Sequence, residues 1–271
     1  MSTSFTSLFT PISSTRILPR LAINLDGLDK CGKTHYAIYT TPGPKVVVTN
    51  DFGTELVLRK AHARGIDIAG VMRLEYPEPD PSKTNTKDNK ADKEVQEAHT
   101  VWRKEWDKLK RGTDEIVKNK KIRTVIYDTG SGMYKLCRLS LFGKSKAIPK
   151  EMFDRVDQQM YELFWSLYKQ REDLNIVMIH HLKKSYIGDN WSGKYERDGW
   201  NKIGAAADLT LRAGWDSNKR CFYTEVPEGD LATRAGGELV GRRFEGEENH
   251  FGYLGMAAFP ETELEPEVWG L

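Results

Sequence analysis

Gly27, Gly32, Lys33 and Thr34 stand in the spacing G-x-x-x-x-G-K-T, and these residue types at these intervals suit the holding of phosphate. Two bracketing glycines let a tight turn aim its backbone N–H groups at one centre. A helix starting at Lys33 would add the positive end of its dipole. Gly27, Leu28, Asp29, Lys30, Cys31, Gly32, Lys33, Thr34 and His35 are then the candidate nucleotide-binding residues. Lys33 would reach the β- and γ-phosphates, and the Thr34 hydroxyl would join the ligands of a hydrated Mg2+. A purely structural glycine turn has no need of the Lys-Thr pair.

Further acids and imidazoles lie at the ends of apolar runs. Thr124–Asp128 ends in a carboxylate which, beside a phosphate loop, reads as the partner of that Mg2+ through its waters. Asp51 and Glu55 follow the apolar run Lys45–Thr49, where a carboxylate can orient the attacking water. The competing role is helix capping, above all for Glu55. His181 ends the run 175–181, and either hydrogen-bonds the γ-phosphate or is a structural imidazole. The next residues interleave Lys183, Lys184, Lys194 and Arg197 with Tyr186, Trp191, Tyr195 and Trp200. Basic groups along a backbone with aromatic faces for bases are what single-strand binding requires; cross-strand aromatic pairing in a hairpin is the alternative.

Positioning these groups calls for an α/β domain with a mostly parallel sheet. Strands are expected at 21–25, 45–49, 71–74, 124–128 and 175–181, and helices at 33–39, 54–64, 92–120 and 151–171. The runs 205–212 and 220–226 alternate like later, antiparallel strands, and the remainder reads as irregular. The long helix carries an apolar stripe, Val95, Ala98, Trp102, Trp106, Leu109 and Ile116, more suited to packing than to binding.

At 271 residues one elaborated domain, 20–271, is expected behind an arm at 1–19 whose Phe5, Leu8, Phe9 and Ile12 call for a docking place. That Ser/Thr-rich start lacks the pattern of a secretory signal, and an organellar transit peptide is the other reading of its composition. No apolar run approaches a membrane span, and a net charge of +2 gives no global argument for or against nucleic acid. Cys31, Cys137 and Cys221 lack metal-site spacing and suit a reducing, cytosol-like compartment.

With the phosphate loop, the acid-ended strand 124–128 and the His-Leu-Lys at 181–183 in place, residues 20–226 resemble the phage-encoded RecA-like ATPases, AAA-domain proteins of single-strand annealing and recombination. Two further stretches carry the likeness: Val-Val-Val-Thr-Asn-Asp-Phe-Gly at 46–53, and the Ala-Asp pair at 207–208 after a hairpin. The resemblance implies a RecA-like fold, ATP hydrolysis with Mg2+, and homo-oligomers in rings or filaments with nucleotide at their interfaces. It also implies single-stranded DNA as partner beside a single-strand binding protein, and the host cytoplasm as location. The water-activating residue would fall on Asp51, where Glu is more usual, with Glu55 in reserve, and 76–121 would be an insertion. The loop alone also resembles that of thymidylate kinases, whose Asp-Arg segment would have to be Asp154-Arg155. A non-hydrolysing nucleotide-binding subunit is the third reading.

Overall fold

A computed structural model describes residues 20–78, 89–143, 150–227, 239–259, 269 and 271. The arm 1–19 and most of the proline-punctuated loop lie outside them. Nine strands form one sheet: β1 (Ala22–Gly27), β2 (Lys45–Thr49), β3 (Ile68–Arg73), β4 (Thr124–Asp128), β5 (Asn175–Ile187), β6 (Asn190–Asp198), β7 (Leu209–Asp216), β8 (Cys221–Glu225) and β9 (Arg243–Glu245). Among the described residues there are seven α-helices: α1 (Lys33–Thr40), α2 (Gly53–Ala63), α3 (Asn89–Lys118), α4 (Gly130–Phe142), α5 (Lys150–Gln170), α6 (Ile203–Ala206) and α7 (Phe251–Ala258). The strand order is β3-β2-β4-β5-β1-β7-β8-β9, with β6 hydrogen-bonded to β5 beyond the sheet's edge. Strands β1 to β5 and β7 run parallel; β6, β8 and β9 are antiparallel to their neighbours.

The expected α/β architecture is therefore present, with two differences at its C-terminal side. β7 is parallel to β1, and residues 203–206 form the short helix α6 before it. Leu209, Leu211 and Ala213 are buried, which seats β7 as an inner strand between β1 and β8. Part of the stretch read as irregular is ordered as β9 and α7, with Phe251, Leu254 and Trp269 in the core.

Side-chain alternation sorts the core into two layers. Ile23, Leu25, Val47, Ile126, Val177 and Ile179 face α1, α2 and α7, while Ala22, Val125, Tyr127, Ile176 and Met178 face α3, α4 and α5. Helix α3 belongs to the second layer: Trp102, Trp106, Leu109 and Ile116 are buried against it, each side chain contributing about 1.5–3 kcal/mol. Helix α3 thus lies between β3 and β4 in the chain and packs on one face of the sheet.

Arg171 locks that layer. It is wholly buried, donating to the carbonyls of Ile116, Asn119 and Ile122 at 2.9, 2.8 and 2.6 Å and to Asp173 at 2.8 and 3.0 Å. This one guanidinium satisfies a carbonyl in the last turn of α3 and two in the segment that follows it. Arg171→Leu is expected to cost about 3–5 kcal/mol in a urea melt because those acceptors and Asp173 lose their donor. The hydrogen bonds from Arg171, the largest influence, hold the Asp173 carboxyl below its usual range. Wild type should therefore lose this stability as pH falls through that lowered value, and the variant should lack that acid-side loss. An unchanged melt would contradict this role.

Candidate nucleotide site

The site is built at the sheet edge where β1 and β4 end on either side of β5. β5 lies between the other two, pairing Gly27 with His181 on one side and Asp128 with Ile179 on the other. Between β1 and α1 the chain turns with Lys30 and Gly32 in the left-handed region, at φ 60° and 93°. Such alternation turns successive N–H groups to one side, and Lys30, lacking glycine's freedom, holds backbone strain there. A Cβ on Gly32 would lie 3.0 Å from the Phe222 ring. No side chain caps α1, so its first N–H groups stay available for an anion.

Lys33 is buried, and its Nζ donates to the carbonyls of Gly27 and Leu28 at 2.8 and 2.6 Å. The Cys31 sulfur lies 3.8 Å from the same nitrogen. Burial pushes the Cys31 thiol up more than Lys33 pulls it down, which keeps it protonated near neutrality. Asp29 and Lys30 are exposed on the loop, while His35 stacks on Tyr39 with ring centres 4.0 Å apart. Desolvation, then Arg64 and Lys60, lower the pKa of His35.

Thr34 Oγ1 donates to Asp128 Oδ2 at 3.0 Å, and Thr54 Oγ1 donates to the same oxygen at 2.5 Å. Asp128 is 1% exposed, its Oδ1 has no partner, and burial above all raises its pKa despite the two hydroxyls. A buried carboxylate with a spare oxygen beside a threonine hydroxyl fits a hard cation that keeps waters and phosphate oxygens in its shell. Among the described residues no group of three or more His, Cys, Asp or Glu gathers into an all-protein cage, and Mg2+ on a nucleotide needs none.

Asp51 Oδ1 accepts the Gly53 N–H at 2.8 Å in a turn just before α2, whose N-cap is Phe52. Glu55 is held by Arg59 at 2.6 Å and Arg73 at 3.7 Å. A cleft of about 1170 Å³ joins Asp51 to Asp29, Lys30 and His181; Glu55 lines only the neighbouring groove of about 440 Å³. His181 Nδ1 lies 2.6 Å from Asp29 Oδ1, off the hydrogen-bonding line. The imidazole buried in the sheet is its neighbour, His180: Nδ1 lies 2.7 Å from Asn24 Oδ1, and desolvation first, then Arg197, holds its pKa well down.

The β5–β6 hairpin carries both properties weighed for it. Tyr186 and Trp191 pair across the strands, Trp191 meets Tyr195 edge-on at 6.1 Å, and Lys184 lies 5.2 Å over the Trp191 ring. These rings remain 57%, 50% and 41% exposed for Tyr186, Trp191 and Tyr195, so faces are left for a ligand. Lys194 is exposed, and Lys183 is engaged by Asp198 and Glu196 at 3.3 and 3.7 Å. Arg197 and Trp200 differ from expectation. Arg197 turns inward onto Asp26, and Trp200 is wholly buried against Phe164, because the chain re-enters the core there.

Thr54, Asn50, Ser131, Lys135 and Arg138 escaped the sequence reading. Asn50 Oδ1 accepts from the Thr129 N–H at 3.2 Å, while Lys135 and Arg138 line the large cleft from α4. Asp154 and Arg155 lie exposed on α5 and not on a loop leaving a strand, and Asp154 pairs with Lys202 at 3.4 Å. Among the described residues no helix is long and apolar enough to cross a membrane. Comparison with protein-family models and with curated proteins finds no match.

An acid whose folded pKa lies above its unfolded one destabilises the fold wherever it is ionised, and the penalty is relieved as pH falls through the raised value. Asp128→Asn should therefore raise the melting temperature of the nucleotide-free protein near neutrality by roughly 2–4 °C. The gain should vanish toward about pH 4, where the wild-type acid is protonated too. A lower melting temperature in the variant would show that Asp128 is a net stabiliser.

Proposed function

We propose that this chain is a Mg2+-dependent, RecA-like ATPase that acts on single-stranded DNA as an oligomer, in annealing or strand exchange. The observation that carries the reading is that the loop 27–34, with its uncapped helix and buried Lys33, meets through Thr34 the carboxylate of a buried Asp128, whose second oxygen has no partner. Lys33 and the loop N–H groups would bind the phosphates, and Thr34 and Asp128 would hold the cation, which supplies charge neutralisation when bound. Asp51 orients the attacking water from the shared cleft, and His181, beside the loop, answers to the γ-phosphate.

Phe52 is 94% exposed and Leu56 60% exposed next to that cleft, an apolar pair that favours a neighbouring subunit over water. Single-stranded DNA is supported by the exposed rings and lysines of the hairpin. The kinase alternative has less behind it, since Asp154 and Arg155 lie on a helix surface. The non-hydrolysing alternative turns on Asp51.

Lys33→Ala is expected to abolish ATP turnover and to weaken nucleotide binding without unfolding; unchanged turnover would refute the ATPase assignment. Asp51→Asn should keep nucleotide affinity and lose about a hundredfold in turnover. If Glu55→Gln does so instead, Glu55 is the base. For DNA, Trp191→Ala should cost about 1–3 kcal/mol of binding at every salt concentration, while Lys184→Ala flattens the salt dependence by about one phosphate contact. Lower thermal stability with intact DNA affinity in Trp191→Ala would leave the aromatics a structural role only.

A further inference from the structure

Arg197 lies near the end of β6, where the hairpin returns to the domain, and its guanidinium grips Asp26 in a fork. Nε lies 2.9 and 3.0 Å from the two carboxylate oxygens, and Nη2 lies 2.6 Å from Oδ2. The side chains keep only 11% and 5% exposure. Asp26 directly precedes Gly27, whose carbonyl receives the Lys33 ammonium. A second tie sits beside the first: the Ser131 hydroxyl accepts the His181 N–H at 3.0 Å and donates to the Asp198 carbonyl at 2.5 Å. The hairpin base is thus fastened to the phosphate-loop strand at one point and to the helix after Asp128 at the other.

A buried ion pair adds little net stability over apolar side chains of the same size, and its distinctive contribution is a fixed geometry. An arginine this close to the hairpin's exposed face would serve DNA best by pointing outward. Its inward fork onto the residue before the phosphate loop fits mechanical linkage better.

We propose that Asp26–Arg197 is the coupling between the nucleotide site and the hairpin, with Arg197, at the wall of the large cleft, acting as a positioning residue through Asp26. When phosphates reshape the loop, Asp26 shifts the fork and resets how the hairpin is presented; a strand held on the hairpin acts back on the loop through the same pair. The inference rests on the ATPase and single-strand reading, and linkage requires the two binding effects to be equal.

The test measures the affinity of a non-hydrolysable ATP analogue with Mg2+ in the presence and absence of oligothymidylate, oligothymidylate affinity with and without that analogue, and basal ATP turnover. It compares wild type, Arg197→Lys and the double variant Asp26→Asn/Arg197→Gln. Wild type should show mutual enhancement of about tenfold. Arg197→Lys keeps the charge and loses the fork, so its basal turnover and its nucleotide-free oligomer affinity should stay near wild type while the enhancement falls toward one. An undiminished enhancement in either folded variant overturns the coupling and leaves the proposed function standing. A wild type with neither turnover nor oligomer binding overturns both. Hydrogen exchange on wild type needs no variant: analogue binding should slow amide exchange at 195–198 of β6, and unaltered exchange there also overturns the coupling.

Discussion

The buried carboxylate of Asp128 is the group on which the geometry of this molecule turns. It is costly to hold an aspartate at the end of an inner strand with one oxygen shared by two hydroxyls and the other unpaired. The cost falls if a cation completes the shell, and the surrounding elements are arranged as that would require. Thr34 comes from the first turn of α1, Thr54 from the first turn of α2, and β4 carries the carboxylate between them. Each of these helices starts at the same edge of the sheet because each follows a parallel strand.

The hairpin leaves the sheet at the same edge. β5 lies between β1 and β4, so the strand that separates phosphate loop from carboxylate is the one that continues outward as far as Ile187. β5 runs unbroken from that edge into the hairpin, and Ser131 and Arg197 tie the hairpin base to α4 and to Asp26. The strained Lys30 and the unpaired Asp128 oxygen sit together at this edge, in keeping with a site whose local order is completed by a ligand.

Much of this was legible in the residues. The strands at 45–49 and 124–128 emerge with the expected bounds because short apolar runs in a parallel sheet are buried on both faces and flanked by clear breakers. Helix α4 was not legible. Its first turn, Gly130-Ser131-Gly132, reads as loop, yet Thr129 caps it and Gly143 closes it in the left-handed conformation. Those glycines answer to tertiary contacts: a Cβ at Gly132 would strike Asn50, and one at Gly130 would strike His180. Arg197 was misjudged for a related reason, since residue type and alternation cannot say that a basic side chain at the hairpin's base finds Asp26 on a strand far away in sequence. Nor could local pattern show that β7 is parallel, because its partner β1 lies far back in the chain.

The central claim is that the loop 27–34 and Asp128 together hold a Mg2+–nucleotide. Calorimetric titration of the full chain with ATP, in the presence of Mg2+ and then of a chelator, tests it most directly. The account predicts saturable binding at one site per chain that weakens sharply when the cation is removed. Absence of saturable binding, or binding indifferent to the chelator, would contradict it.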